Sequence, residues 1–173
     1  NCGLYTFQYT DCCRNPDNNL VNPTAAGFMA QATLNSDLVS CDDAPVFTSL
    51  PVPYFCLGQP VYYSHGALDG DGDSLVYTLI APLDDLGGNV AYTGTYTPTN
   101  PMPTASGFNF DPATGQMVFT PTQQGVYVVD VLVTEYRNGQ VIGTTMRDIQ
   151  IVVINCSNNS PQVVNCLTTG TVS

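Results

Sequence analysis

The sequence predicts an all-β chain: an antiparallel β-sandwich with a partial, β-rich segment on its N-terminal flank. Three observations predict it. Apolar and polar residues alternate along several stretches, while the helical period is nearly absent. The chain is 43% hydrophobic, with a Val, Ile, Tyr and Thr content that suits pleated, half-buried surfaces. Its 15 glycines and 13 prolines are scattered, as turns between many short strands require.

Taken in order, residues 3–10 and 27–34 read as strands, separated by a polar, irregular stretch that holds the adjacent Cys12 and Cys13. Two strands cannot hide a core alone. Residues 1–48 are therefore expected to be a partial or accessory segment, either part of a second, incomplete sandwich or an extension packed on the main one. Residues 49–156 form the expected main sandwich. Within it, residues 60–64, 74–80 and 116–120 read as strands. Asp111-Pro112-Ala113-Thr114-Gly115 has turn chemistry: Asp to cap, Pro to fix φ, Gly to accept a left-handed conformation. Residues 126–136 place Tyr127, Val129, Val131 and Val133 on one face, and Asp130 and Thr134 on the other. Asn138-Gly139 between apolar runs signals a tight hairpin, returning through residues 141–154 with Ile149, Ile151 and Val153 on a shared face. Residues 157–173 read as a linker and the start of a following element.

Charge narrows the function. Fourteen acidic residues stand against three basic ones, a net charge of −11. Binding to nucleic acid or anionic lipid needs cations this chain lacks. The balance favours solubility at high salt and attraction for divalent cations. No apolar run approaches the length of a membrane span. The chain starts at Asn1-Cys2 without a signal peptide, so a mature product or an excised fragment is expected.

Seven cysteines, Cys2, Cys12, Cys13, Cys41, Cys56, Cys156 and Cys166, point to disulfides in an oxidising compartment. None forms a CxxC pair and the single histidine, His65, has no nearby thiol, which disfavours zinc. Connectivity stays open. An odd count leaves at least one thiol free or paired outside this segment. Vicinal Cys12 and Cys13 are expected to be separate disulfide partners rather than a redox pair.

Two stretches together carry a resemblance. Asp69-Gly70-Asp71-Gly72-Asp73-Ser74-Leu75-Val76-Tyr77-Thr78-Leu79 is followed by Phe110-Asp111-Pro112-Ala113-Thr114-Gly115-Gln116-Met117-Val118-Phe119-Thr120-Pro121-Thr122, then Gly125-Val126-Tyr127. Over residues 50–155 this resembles the bacterial cadherin-like (dystroglycan-type) and Ig-like repeats of giant surface proteins. The flanks Asp11-Cys12-Cys13-Arg14-Asn15, Tyr136-Arg137-Asn138-Gly139 and Met146-Arg147-Asp148-Ile149-Gln150 look like long secreted Bacteroidota surface proteins. These include adhesins linked to gliding motility and type IX secretion. The resemblance implies an Ig/cadherin-like sandwich, export to the cell surface, and a tandem arrangement in which neighbouring repeats are the partners.

Asp69, Asp71 and Asp73 alternate with glycines, so three carboxylates can converge on one hard cation. A helix-loop-helix calcium loop fails, because Ser74 and Ile80 occupy the positions of its Gly and Glu. In a sandwich the remaining oxygens come from elsewhere, and Asp111, Asp130 and Glu135 are the candidates. Clustered carboxylates without a cation repel one another, which favours calcium over a solvated acidic turn. Each of Arg14, Arg137 and Arg147 is expected to pair with a carboxylate, with Asp148 and Glu135 suited to the task. Tyr127, two residues after Gly125, is expected to be a tyrosine corner.

Catalysis finds little footing. Ser64-His65 lacks a nucleophile elbow and neighbouring strand positions face opposite ways. Asp84-Asp85 sits in loop sequence, whereas sugar hydrolysis needs two carboxylates in contrasting environments. The expected function is a non-enzymatic structural repeat of an adhesin or filament, stiffened by calcium and disulfides. The alternatives are a carbohydrate-binding module using Tyr62, Tyr63, Tyr92 and Tyr96 on surface polysaccharide, and a fibre subunit assembling by strand exchange with residues 161–173 as donor.

Overall fold

The fold is that of a computed structural model, which describes residues 3–51 and 54–156. The linker at 157–173, with its suggested donor strand, and Cys2 and Cys166 lie outside the described residues. The chain is all-β, with a single 3₁₀ turn among the described residues, at Pro23–Ala25. In order the strands are β1 (Leu4–Asp11), β2 (Phe28–Asn35), β3 (Val46–Phe47), β4 (Tyr54–Cys56), β5 (Val61–Ser64), β6 (Ala67–Leu68), β7 (Ser74–Ile80), β8 (Asn109–Phe110), β9 (Gln116–Phe119), β10 (Gly125–Arg137) and β11 (Gln140–Ile154).

The β10–β11 hairpin organises the molecule. Asn138 and Gly139 both take positive φ, 54° and 77°, giving a two-residue turn whose twist matches the flanking strands. The ladder then runs from Arg137↔Gln140 to Gly125↔Val153, with one bulge between Glu135 and Tyr136. β7 pairs antiparallel on the free side of β10, and β2 pairs antiparallel on β11, carrying β1 outside it. The sheet order is β1-β2-β11-β10-β7, with β4 running parallel against the far end of β11. A second sheet, β5-β9-β8, lies across it, and β3 pairs with β6 in a short ribbon.

The alternation read from the sequence defines the core between these sheets. Tyr127, Val129, Val131 and Val133 of β10, with Ile149, Ile151 and Val153 of β11, meet Val61, Tyr63, Met117 and Phe119 of the second sheet. Each buried side chain of this size contributes roughly 1.5–3 kcal/mol relative to exposure. The disulfide Cys56–Cys156 closes one end, tying β4 to the end of β11 across 100 residues of sequence.

The outer face of the hairpin is also covered. The irregular stretch after Cys13 crosses it, with Leu20 packing against Val90 and Val128. Asn19, fully buried, donates from Nδ2 to Val128 O (2.8 Å) and accepts from Val128 N at Oδ1 (2.9 Å). A side-chain amide thus stands in for a neighbouring strand's peptide group. Through this contact and the β2–β11 pairing, the N-terminal segment packs on the main sandwich.

Two expectations need correction. Cys12 and Cys13 are bonded to each other rather than to separate partners, and Cys41 is free and exposed. The Tyr127 hydroxyl is buried with no hydrogen-bond partner among the described residues, so it ties down no loop. That task falls to Tyr77, whose hydroxyl accepts from Ala67 N (2.9 Å) and donates to Ala67 O (3.4 Å). Tyr77 also explains Gly115: its φ is +66°, and a Cβ there would lie 2.7 Å from the tyrosine ring.

Candidate cation site

The acidic turn after β6 is held by its own backbone. Asp69 Oδ1 accepts from Asp71 N (3.0 Å) and Asp73 N (2.8 Å), which curls the Asp-Gly-Asp-Gly-Asp segment and turns its carboxylates inward. β7 starts directly afterwards and pairs with β10, with Ser74 opposite Tyr136 and Leu75 opposite Glu135. This register delivers Glu135 to the turn. The loop before β3 supplies Asp42, whose side chain is 2% exposed.

Two overlapping triads result: Asp42, Asp71 and Asp73, and Asp69, Asp73 and Glu135, each with carboxylate oxygens within 4.8 Å of one another. Arg137, at the end of β10, serves the first. Its Nη2 donates to Asp42 Oδ1 (3.0 Å), Asp71 Oδ2 (2.9 Å) and Asp73, its Nε donates to both oxygens of Asp73 (2.9 and 3.0 Å), and its Nη1 donates to Cys41 O (3.1 Å). The guanidinium holds Asp73 below the usual carboxylate range, while burial raises Asp42.

In the second triad Arg137 reaches Asp73 and not Asp69 or Glu135. Glu135 is 1% exposed, and neither its Oε1 nor Asp69 Oδ2 has a hydrogen-bond partner among the described residues. Burial, with the charges of Asp42 and Asp69 added, pushes the Glu135 carboxyl up to about 8. A carboxyl so placed is neutral at pH 7 unless a cation joins it. The donor set fits a hard cation: Asp69, Asp73 and Glu135 offer only oxygens, and backbone carbonyls or water complete the number such an ion takes.

The remaining predicted ligands lie elsewhere. Asp111 caps its own turn, accepting from Ala113 N (2.9 Å) and Thr114 Oγ1 (2.7 Å), and these bonds lower its pKa. Asp130 sits on the outer face of the hairpin, opposite Asp148 in the ladder and 1% exposed. Burial, and then the Asp148 charge, raises its pKa well above the ordinary value, whereas Arg14 pairs with Asp148 and opposes the rise there. Asp42 was not anticipated; its signal was an Asp-Asp pair in a chain with few charges.

The arginines also depart from expectation. Arg14 does pair with Asp148, but Arg137 takes Asp42, Asp71 and Asp73 rather than Glu135. The turn carboxylates are therefore partly compensated. Arg147 pairs with no carboxylate among the described residues. It donates to His65 O (3.2 Å) and Ser49 O (2.8 Å) and lies 4.7 Å over the Phe47 ring. Beside it, fully buried His65 meets Tyr63 and Phe110 edge-on; burial first, then Arg147, lowers it to about 4. Ser64 Oγ donates to Thr114 O (3.3 Å), and Asp84 Oδ1 accepts from Leu86 N and Gly88 N within its own turn.

Of the tyrosines considered for sugars, Tyr62 is exposed, Tyr92 and Tyr96 are half-buried and Tyr63 belongs to the core. No protein-family model, curated protein or solved structure matches the chain. What fold and site define together is a class: a disulfide-closed β-sandwich with a carboxylate cluster around a buried Glu135 at one end of its central hairpin.

Proposed function

We propose that this chain is a non-catalytic structural module of a secreted cell-surface adhesin or filament, of Ig/cadherin-like type and joined in series to neighbouring repeats. A calcium ion held by Asp69, Asp73 and Glu135, together with the disulfides, stiffens it. The observation that carries this reading is Glu135: a buried carboxyl facing Asp42 and Asp69, whose Oε1 has no hydrogen-bond partner among the described residues. A divalent cation supplies the missing charge and joins the turn after β6 to the end of β10. Binding to the native state alone then stabilises it by mass action.

Thermal unfolding with calcium and with a chelator, disulfides intact, tests this. At calcium one hundredfold above Kd the gain is about 2.7 kcal/mol, a rise of roughly 5–10 °C for a chain of this size. Glu135→Gln mimics the neutral carboxyl, so it is expected to fold normally yet lose the calcium response. A midpoint indifferent to chelation, or a response surviving Glu135→Gln, overturns the proposal.

A further inference from the structure

The groove along β1 carries chemistry unrelated to the cation site. β1 is the outer strand of its sheet, and Tyr5, Phe7 and Tyr9 alternate along it, so they share one face of the strand. They are 44%, 60% and 63% exposed, an unusual amount of aromatic surface to leave in water. Opposite Phe7 and Tyr9 on β2 stand Ala32 and Ala30, whose small side chains leave a trough. That trough is a cavity of about 320 Å³. Tyr9 also lines a second cavity, of about 370 Å³, with Phe28, the Cys12–Cys13 disulfide and the Arg14–Asp148 pair. The Tyr9 and Phe28 rings meet edge-on, 6.3 Å apart. One ring thus joins two hollows into a longer groove.

We propose that this groove binds a neutral glycan chain. A pyranose offers an apolar C–H face and a rim of hydroxyls, and so needs flat apolar surfaces beside fixed polar groups. Phe7, Tyr9, Phe28 and the apolar edge of the Cys12–Cys13 bridge supply the first. Asn15 and Gln150 in one cavity and Gln31 in the other supply the second, beside the Arg14–Asp148 pair, whose side chains are 4% and 8% exposed. Charge selects the ligand class. Among the described residues Arg14 is the only cation lining either cavity, Asp148 neutralises it and Asp11 adds a further carboxylate, while the chain carries −11, so phosphates, sulfates and acidic sugars are repelled. The tyrosines considered from the sequence are not those that form this groove.

Calorimetric titration of the whole chain with cello-, chito-, manno- and xylohexaose tests the proposal. At least one of these neutral oligosaccharides is expected to bind. Phe7→Ala and Tyr9→Ala each weaken that binding about tenfold, the worth of one aromatic stacking contact. Phe7 is exposed, so Phe7→Ala leaves the thermal midpoint unchanged, Tyr9→Ala lowers it only by the loss of the Phe28 contact, and Tyr62→Ala, exposed but outside the groove, leaves binding intact. Absence of binding by all four sugars, or affinity indifferent to both substitutions, overturns the proposal. So does concentration-dependent dimerisation abolished by Phe7→Ala, which makes the same face an interface between two copies.

Discussion

Removing the Cys56–Cys156 disulfide isolates how much of the sandwich depends on its closure. The bond joins residues 100 apart, which fall in the short parallel strand β4 and just beyond β11. In the chain-entropy treatment, a closed loop of that length lowers the entropy of the unfolded chain by about 16 cal/mol/K, or about 4.7 kcal/mol at 25 °C. Few native interactions vanish with it. Tyr54, Phe55 and Cys56 keep their ladder to Val152, Val153 and Ile154, and Phe55 keeps its edge-on contacts with Tyr63 and Phe119. Replacing both cysteines by alanine, so that no thiol remains there to reshuffle, should therefore cost about 4–5 kcal/mol, a large part of the stability of an ordinary domain. Urea unfolding of the two proteins, with midpoint and slope fitted separately, measures it. A loss below about 1 kcal/mol would refute the reasoning, because the unfolded chain would then gain little freedom from losing this cross-link.

Two further outcomes follow from buried polar groups. The folded His65 pKa, about 4, lies below the ordinary 6.5, so the native state binds fewer protons between them and its stability falls as pH drops through that window. The contribution is complete above pH 6.5 and amounts to about 3 kcal/mol at most. As the only histidine, it gives a single imidazole resonance, expected to titrate near 4 rather than 6.5. Asn19→Ala leaves the peptide group of Val128 without its two buried partners, at a cost of about 2–4 kcal/mol in chemical denaturation. A cost under about 1 kcal/mol would mean that water takes over both bonds.

Much of the sandwich was legible because its strands carry period-two patterns and its turns carry their own chemistry. Asn138-Gly139 and Asp111 to Gly115 specify turns locally, so neighbouring residues suffice to read them. The same alternation, extended by one step beyond Val133, puts Glu135 on the core side of β10, where a carboxyl is out of place. What escaped was set by distant parts of the chain. Asp130 faces away from the main core, on the face that the N-terminal segment and the stretch around Val90 and Tyr92 cover. Asp42 reaches the acidic turn from a loop 27 residues before Asp69, and Arg137 reaches three carboxylates only after the hairpin and that loop meet. No pairing rule links such positions in sequence.

The most direct test of the central claim is calorimetric titration of the whole chain with calcium alone. The site described predicts one ion per chain, bound at or below the millimolar range typical of extracellular modules. Binding should be lost in Asp69→Asn and Glu135→Gln and kept in Asp111→Asn, since Asp111 only caps its own turn. Absence of binding up to about 1 mM calcium, or binding that persists in Glu135→Gln, would contradict the account and leave the disulfides and core packing as the source of stiffness.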